Sequence, residues 1–286
     1  MKYPIVGKSI LKRVYKKRNP WTHKGQYGKL LVIAGSERIT GAPILVAKAA
    51  LRAGVDTVYL AGTKRAMDAA AYAYPTFISQ PLEGRELVEE HLPAIISFVH
   101  DMKPSGVAIG PGLWRSEKTR KAVVKIIETT ELPMVIDADA IRAISEEKEV
   151  LKNKTTVLTP HSNEFKELTG IEVGTNIDGR VEAVRNEAKK WRTVIILKGN
   201  TDVISDGKRV AINKTGNPFM SKGGCGDTLT GICAAFIARK IDKVDAFTAA
   251  CAAAYINGRA GDIVARKLKT GILPTDLIDA IPSVVS

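Results

Sequence analysis

Cysteine is scarce. Three thiols, Cys225, Cys233 and Cys251, stand in 286 residues. The number is odd and no pair has Cys-x-x-Cys spacing, which argues against a disulfide framework and a cysteine-held zinc site. Buried thiols in a reducing compartment are expected instead. No apolar run approaches the ~20 residues that cross a bilayer. The basic stretch from Met1 to Pro20 lacks the apolar core of a secretory signal. Together these absences point to a cytoplasmic chain with no membrane partner. Aromatic residues are only 6% of the chain, and Trp21, Trp114 and Trp191 are expected to pack rather than to stack on bases. Two common phosphate fingerprints are also missing. There is no GxxxxGK[ST], and Gly35-Ser36 rather than GxGxxG follows the first apolar run.

Acidic residues are missing from the first 30 positions, which carry Lys2, Lys8, Lys12, Arg13, Lys16, Lys17, Arg18, Lys24 and Lys29. Over the whole chain, 43 basic minus 30 acidic residues leave +13, so most of the excess charge sits in the basic N-terminal segment, residues 1–24. A basic arm can bind nucleic acid. No groove-reading motif accompanies it, so a solvated helix face is the favoured reading and nucleic acid is disfavoured as a partner.

What the chain does contain is rhythm. Short apolar, β-branched runs recur at 29–34, 55–60, 106–109, 133–137, 155–159 and 193–198. Each is nearly unbroken, as a strand buried on both faces should be. Helical stretches lie between them, at 42–53, 118–130, 180–191 and 227–239. This alternation predicts an α/β fold with a mostly parallel central sheet and helices on both faces. The runs 202–205 and 208–212, joined by Asp206-Gly207, predict an antiparallel edge hairpin. The Ala-rich stretch 246–254 would pack either internally or between subunits. With no linker, repeat or low-complexity segment, residues 1–286 are expected to form a single domain.

In such sheets ligands gather at the carboxyl ends of the strands. The predicted strands end in Gly35-Ser36, Gly110-Pro-Gly112, Asp137-Ala-Asp139, Pro160-His161 and Lys198-Gly199. The strongest signal is Gly223-Gly224-Cys225-Gly226-Asp227-Thr-Leu-Thr-Gly231. Three glycines in four positions free the backbone to aim N–H groups at an anion, and a helix N-terminus adds positive partial charge. Asp227 then stands beside an anion hole, placed to take a proton from a substrate hydroxyl. Other residues admit two readings. His161 either caps the next helix or touches ligand. Glu164 is either a first-turn acid or a magnesium ligand through water. Asp137 and Asp139 are either an N-cap pair or a substrate or metal site, and Lys198 is either a surface charge or a phosphate contact.

The Gly-Gly-x-Gly-Asp-x-Leu-x-Gly string resembles the ribokinase-like superfamily. Within it, Gly28 to Ser36, Thr40-Gly-Ala42-Pro43, Gly110-Pro-Gly112-Leu, Asp137-Ala-Asp139-Ala, Thr159-Pro-His161-x-x-Glu164-Phe, Leu197-Lys198-Gly199, Thr215-Gly-Asn217-Pro and Tyr255-x-x-Gly-x-Ala-Gly261-Asp262 together resemble the NAD(P)H-hydrate dehydratases, from about residue 25 to about 281. That resemblance implies a ribokinase-like fold. It implies a hydro-lyase of nicotinamide cofactor repair, which uses ADP or ATP to return hydrated NADH or NADPH (NADHX, NADPHX) to the normal cofactor. The path would be phosphorylation of the ring hydroxyl and then loss of phosphate, releasing AMP or ADP. Asp227 would be the base, with Gly224 and Gly226 in the anion hole. The hydrate would meet Ala42, Gly112, His161 and Asp227. The nucleotide would meet Lys198, Gly199, Asn200, Thr201 and Asp202, and also Asn217, Pro218, Phe219, Met220, Ser221, Lys222, Gly223, Gly224, Cys225 and Gly226. Mg2+ is expected with the nucleotide, Glu164 helping to hold it through water. A homo-oligomer such as a tetramer and a separate epimerase are also implied. Cys225 departs from the small or hydroxyl residue usual at that place, with little loss expected because its backbone N–H can still serve. A second reading is a ribokinase-like kinase that phosphorylates a hydroxyl of a vitamin precursor and leaves a stable product.

Overall fold

The computed structural model describes residues 2–285; Met1 and Ser286, the ends of the expected 1–286 domain, lie outside the described residues. Nine strands form one sheet: β1 (Lys29–Ile33), β2 (Thr57–Thr63), β3 (Ile78–Leu82), β4 (Gly106–Ile109), β5 (Met134–Ile136), β6 (Thr156–Leu158), β7 (Val194–Leu197), β8 (Asp202–Ser205) and β9 (Val210–Asn213). Their order is β3-β2-β1-β4-β5-β6-β7-β8-β9. Pairing is parallel from β3 to β7 and antiparallel for β7–β8 and β8–β9.

The side-chain period of two splits each central strand between two cores. Leu30 and Val32 of β1 join one apolar layer, Leu31 and Ile33 the other, and Val135 of β5 faces away from Met134 and Ile136 in the same way. Strands buried on both faces explain why the runs read as unbroken apolar stretches. The first layer is closed by the helices Ala42–Arg52, Cys225–Ile237, Ala246–Leu268 and Pro274–Val285. Small residues let these helices approach closely. A Cβ added to Gly231 would lie 2.2 Å from the Val46 carbonyl oxygen. The Ala-rich stretch therefore packs internally, with every residue from Phe247 to Gly258 buried.

Strand β3 was not anticipated. Its Ile-Ser-Gln-Pro-Leu sequence has an exposed first residue and a proline, features that an edge strand tolerates and an apolar-run search passes over. The hairpin begins its second strand at Val210 rather than Lys208. Asp206 accepts the amide of Lys208 at 2.9 Å and that of Arg209 at 2.6 Å, so those two residues belong to the turn.

The basic N-terminal segment is part of the folded body. Val6 donates to the Ile212 carbonyl and Ile212 to that of Pro4, both at 2.9 Å, extending the β9 edge. Ile10, Leu11 and Val14 are buried while Lys8, Lys12, Lys16, Lys17 and Lys24 stay exposed. Buried Arg239 donates to the Val14 carbonyl, and its guanidinium lies over the rings of Tyr15, Tyr27 and Phe236. Two tryptophans do not pack as expected. Trp21, in a loop, is 90% exposed, and Trp114, in the turn after β4, is 39% exposed; short turns offer no layer to bury a ring this large.

Candidate active site

The strand ends meet as the topology requires. Asp137 follows β5, Pro160-His161 follows β6, and Lys198-Gly199 follows β7. Asp137, His161, Lys198 and Gly199, with the loop from Thr215 to Gly226, line a cavity of about 830 Å³. The cavity has a floor made of charged side chains and a wall made of backbone.

On the floor, Lys198 Nζ lies 3.2 Å from Asp137 Oδ1 and 3.8 Å from Glu164 Oε2. Asp137 Oδ2 accepts the Thr230 hydroxyl at 2.7 Å. Arg142 approaches Glu164 at 3.4 Å and Asp139 at 3.6 Å. Burial alone would lower the Lys198 ammonium, but the facing carboxylates Asp137 and Glu164 outweigh it and hold it above its ordinary value. Asp227 has no hydrogen-bond or ion-pair partner of its carboxylate among the described residues. Burial, with the negative charges of Asp137 and Asp139 and against the opposing pull of Lys198, raises it to about 7. That is the range in which a carboxylate works best as a base at neutral pH.

The wall is the loop leading into the helix Cys225–Ile237. Gly224 is its N-cap at φ +95, a left-handed conformation that suits glycine, and a Cβ there would meet Leu45 Cδ1 at 2.6 Å and Pro274 Cγ at 2.8 Å. The loop is fixed at its start by Asp262, which accepts from the Gly216 amide and the Asn217 side chain, each at 3.3 Å. Asn217 Oδ1 in turn accepts the Phe219 amide at 3.1 Å. At its end, Asn257 donates to the Cys225 carbonyl at 3.3 Å. Lys198 closes the gap between wall and floor, its Nζ 3.4 Å from where a Cβ on Gly226 would sit. An anion at this helix N-terminus would meet both backbone N–H groups and the ammonium.

Most of the expected site residues line this cavity: His161, Glu164, Lys198, Gly199, Asn200, Asp202, Asn217, Pro218, Met220, Ser221, Lys222, Gly223, Gly224, Cys225, Gly226 and Asp227. Thr201, Phe219, Ala42 and Gly112 are not in that lining. Phe219 packs against the apolar core. Ala42 is buried next to Gly112, and Leu45, one turn further along the helix, abuts Gly224. Asp202 turns its carboxylate inward, accepting from the Gly199 amide and Asn213, each at 3.0 Å, and burial raises it to about 6. It shapes the 198–202 turn.

His161 does cap its helix, its Nδ1 accepting the Glu164 amide at 3.2 Å while Glu164 Oε2 accepts the His161 amide at 2.9 Å. Asp137 and Asp139 do not cap; the N-cap is Ala138, with no side-chain cap bond. Glu164 is a poor fit for a metal. Lys198, Arg142 and His161 all face its carboxylate, and no group of three acidic, histidine or cysteine side chains that could hold a metal occurs among the described residues. Two residues that brace the floor, Thr230 behind Asp137 and Arg142 behind Glu164, escaped the sequence reading. Thr230 had a usable signal, three positions after Asp227 and so on the same side of one helix. Arg142 had none.

The family model described as NAD(P)H-hydrate dehydratase matches residues 30–283. A bifunctional NAD(P)H-hydrate repair enzyme of Pyrobaculum aerophilum is 43% identical over 264 residues, covering 92% of this chain and 51% of its own length. The chain thus spans about half the length of several curated relatives it matches. The ADP-dependent (S)-NAD(P)H-hydrate dehydratase of Cenarchaeum symbiosum is 35% identical, with 98% of this chain and 96% of the relative covered. Among solved structures, the ADP/ATP-dependent NAD(P)H-hydrate dehydratase of Bacillus subtilis, co-crystallised with ATP and Mg2+, aligns with TM-score 0.82 at 27% identity over 99% of this chain and 98% of that one. A ribokinase-like sheet, its glycine loop and Asp227, and these matches lead to one conclusion: the chain belongs to the NAD(P)H-hydrate dehydratase family.

Proposed function

We propose that this protein restores NADH or NADPH from its (S)-hydrate at the expense of ADP or ATP. The observation that carries the proposal is Asp227: an unpaired carboxylate raised to about 7, in the first turn of a helix with a glycine-built N-terminus. The names of the Cenarchaeum and Bacillus relatives support the choice of substrates. One sheet carries both wall and floor, which favours a single domain. Three buried free thiols fit a reducing cytoplasm.

Asp227 would take the proton of the ring hydroxyl as its oxygen attacks the terminal phosphorus of the nucleotide. The bridging P–O bond breaks, and AMP leaves from ADP, or ADP from ATP. The N–H groups around Gly224 and Gly226, with Lys198, would receive the charge on the transferring phosphoryl group. The C–O bond of the phosphate ester then breaks and inorganic phosphate departs with the electron pair, far more readily than hydroxide would. Loss of a ring proton re-forms the double bond. Magnesium is proposed to arrive on the nucleotide, since the floor carboxylates are already paired with cations.

The test mixes the protein with hydrated NADH or NADPH and magnesium ADP or ATP, and follows the absorbance of the restored dihydronicotinamide. Restoration that requires nucleotide is expected. A stable phosphorylated hydrate would instead assign a kinase, and no reaction with either nucleotide would overturn the proposal.

A further inference from the structure

Near the end of β5, where the Trp114 amide meets Asp139, Arg38 lies over the ring of Trp114, its guanidinium carbon 4.7 Å from the centroid. Trp114 holds φ +80, a backbone conformation that costs a bulky residue strain and persists only where its surroundings enforce it. The enforcement is visible: the Trp114 amide donates to Asp139 Oδ2 at 3.1 Å. Ala138, next to Asp139, is also at positive φ. Strained positions thus cluster where the ring is held out, 39% exposed.

The arginines nearby differ in what they do. Arg85 pairs with Glu37, Arg65 donates to the Glu37 carbonyl at 2.7 Å, and Arg115 faces Asp139 at 3.4 Å. Arg38 has no carboxylate partner among the described residues, and it is exposed. Its neighbour Ile39 packs where a Cβ on Gly112 would sit, 2.6 Å away, with Ala42 at 3.1 Å. Asp139, which anchors Trp114, also contributes to the raised state of Asp227. Ala138, beside Asp139, lines the cavity that also holds Asp227.

We propose that Arg38, laid flat on Trp114, binds a phosphate of the dinucleotide half of the hydrate while the hydrated ring sits at Asp227. The inference rests on the dehydratase reading above and deepens it. A guanidinium presents paired N–H donors that match phosphate oxygens, and stacking restricts the side chain before the ligand arrives, so less freedom is lost on binding. In that reading the nucleotide donor would sit at the glycine wall, so Arg38 should discriminate for the hydrate and not for the nucleotide.

The test compares Arg38→Ala, Arg38→Lys and Trp114→Gly with wild type, on hydrated NADH and hydrated NADPH. Both KM at saturating nucleotide and direct calorimetric binding without nucleotide are measured. Glycine accepts φ +80, so Trp114→Gly removes the ring without threatening the fold. Arg38→Ala is expected to raise KM and Kd for hydrate roughly tenfold, with kcat and the nucleotide KM unchanged. Arg38→Lys should fall between it and wild type, and Trp114→Gly should weaken binding about threefold. Equal effects on the two hydrates assign the diphosphate, whereas an effect confined to hydrated NADPH assigns its 2′-phosphate. An unchanged KM and Kd in Arg38→Ala, or a shift in the nucleotide KM alone, would overturn the inference while leaving an active wild type to uphold the dehydratase reading. A wild type that neither binds nor converts hydrate would overturn both.

Discussion

The two sides of the cavity are built from different materials. The wall is backbone: glycines, a helix N-terminus, and carbonyls and amides held in place by Asp262, Asn217 and Asn257. The floor is side chain: Asp137, Glu164, Lys198, Arg142 and Thr230 in one network. Atoms added to the wall disturb it, because its space is already used. Atoms removed from the floor disturb it, because each charge there is balanced by another. Asp227 stands at the seam and depends on both.

The largest effect should come at that seam. Asp227→Ala is expected to lower kcat by about 10²–10⁴-fold, the usual contribution of a general base, measured in the hydrate assay. The same position has an opposite effect on stability. Its folded carboxyl titrates at about 7, against about 4 in an unfolded chain. Between those values the folded state keeps a proton that the unfolded state has lost, so stability falls as pH rises through the window. Asp227→Asn should therefore be more stable than wild type at pH 8, by about 1–3 kcal/mol, and should lose that advantage towards pH 4. A denaturant series at the two pH values checks the sign. Equal stability at both would show that the carboxyl is not held protonated by its surroundings.

On the wall, Gly224→Ala should cost about 10²–10³ in kcat, comparable to loss of an oxyanion-hole donor. The added methyl would meet Leu45 and Pro274 at 2.6 and 2.8 Å and force the loop to shift. On the floor, Lys198→Met leaves Asp137 and Glu164 without their shared cation, with an expected cost of about 1–3 kcal/mol in unfolding free energy. Because Lys198 opposes the rise of Asp227, its removal should also move the acid limb of the kcat/KM profile above its wild-type position near 7. A limb that stays in place would separate wall from floor and break the account of their coupling. The smallest effect belongs to Cys225→Ser. The thiol is buried but only the backbone serves the wall, so activity should change less than about twofold.

How legible each side was follows from its range in sequence. The wall is local, and Gly224, Gly226 and Asp227 could be read as an anion site because glycine spacing and the helix that follows lie within a few residues. The floor is made by topology. Asp137 and Thr230 are 93 residues apart and meet only when β5 and the helix Cys225–Ile237 pack together. The Arg38–Trp114 pair is of the same kind: Trp114 read as a packing residue because nothing local announces Arg38 above it. The central strands were visible from their apolar runs, while β3 was hidden by its half-exposed, proline-bearing edge.

The central claim is that Asp227, seated on the glycine wall, couples nucleotide cleavage to hydrate dehydration. The most direct measurement follows phosphate release and dihydronicotinamide restoration in one reaction, in wild type and in Asp227→Asn. Equal amounts of both products in wild type, and loss of both together in a folded, more stable Asp227→Asn, are predicted. Restoration without phosphate release, or an Asp227→Asn variant that retains full activity, would contradict it.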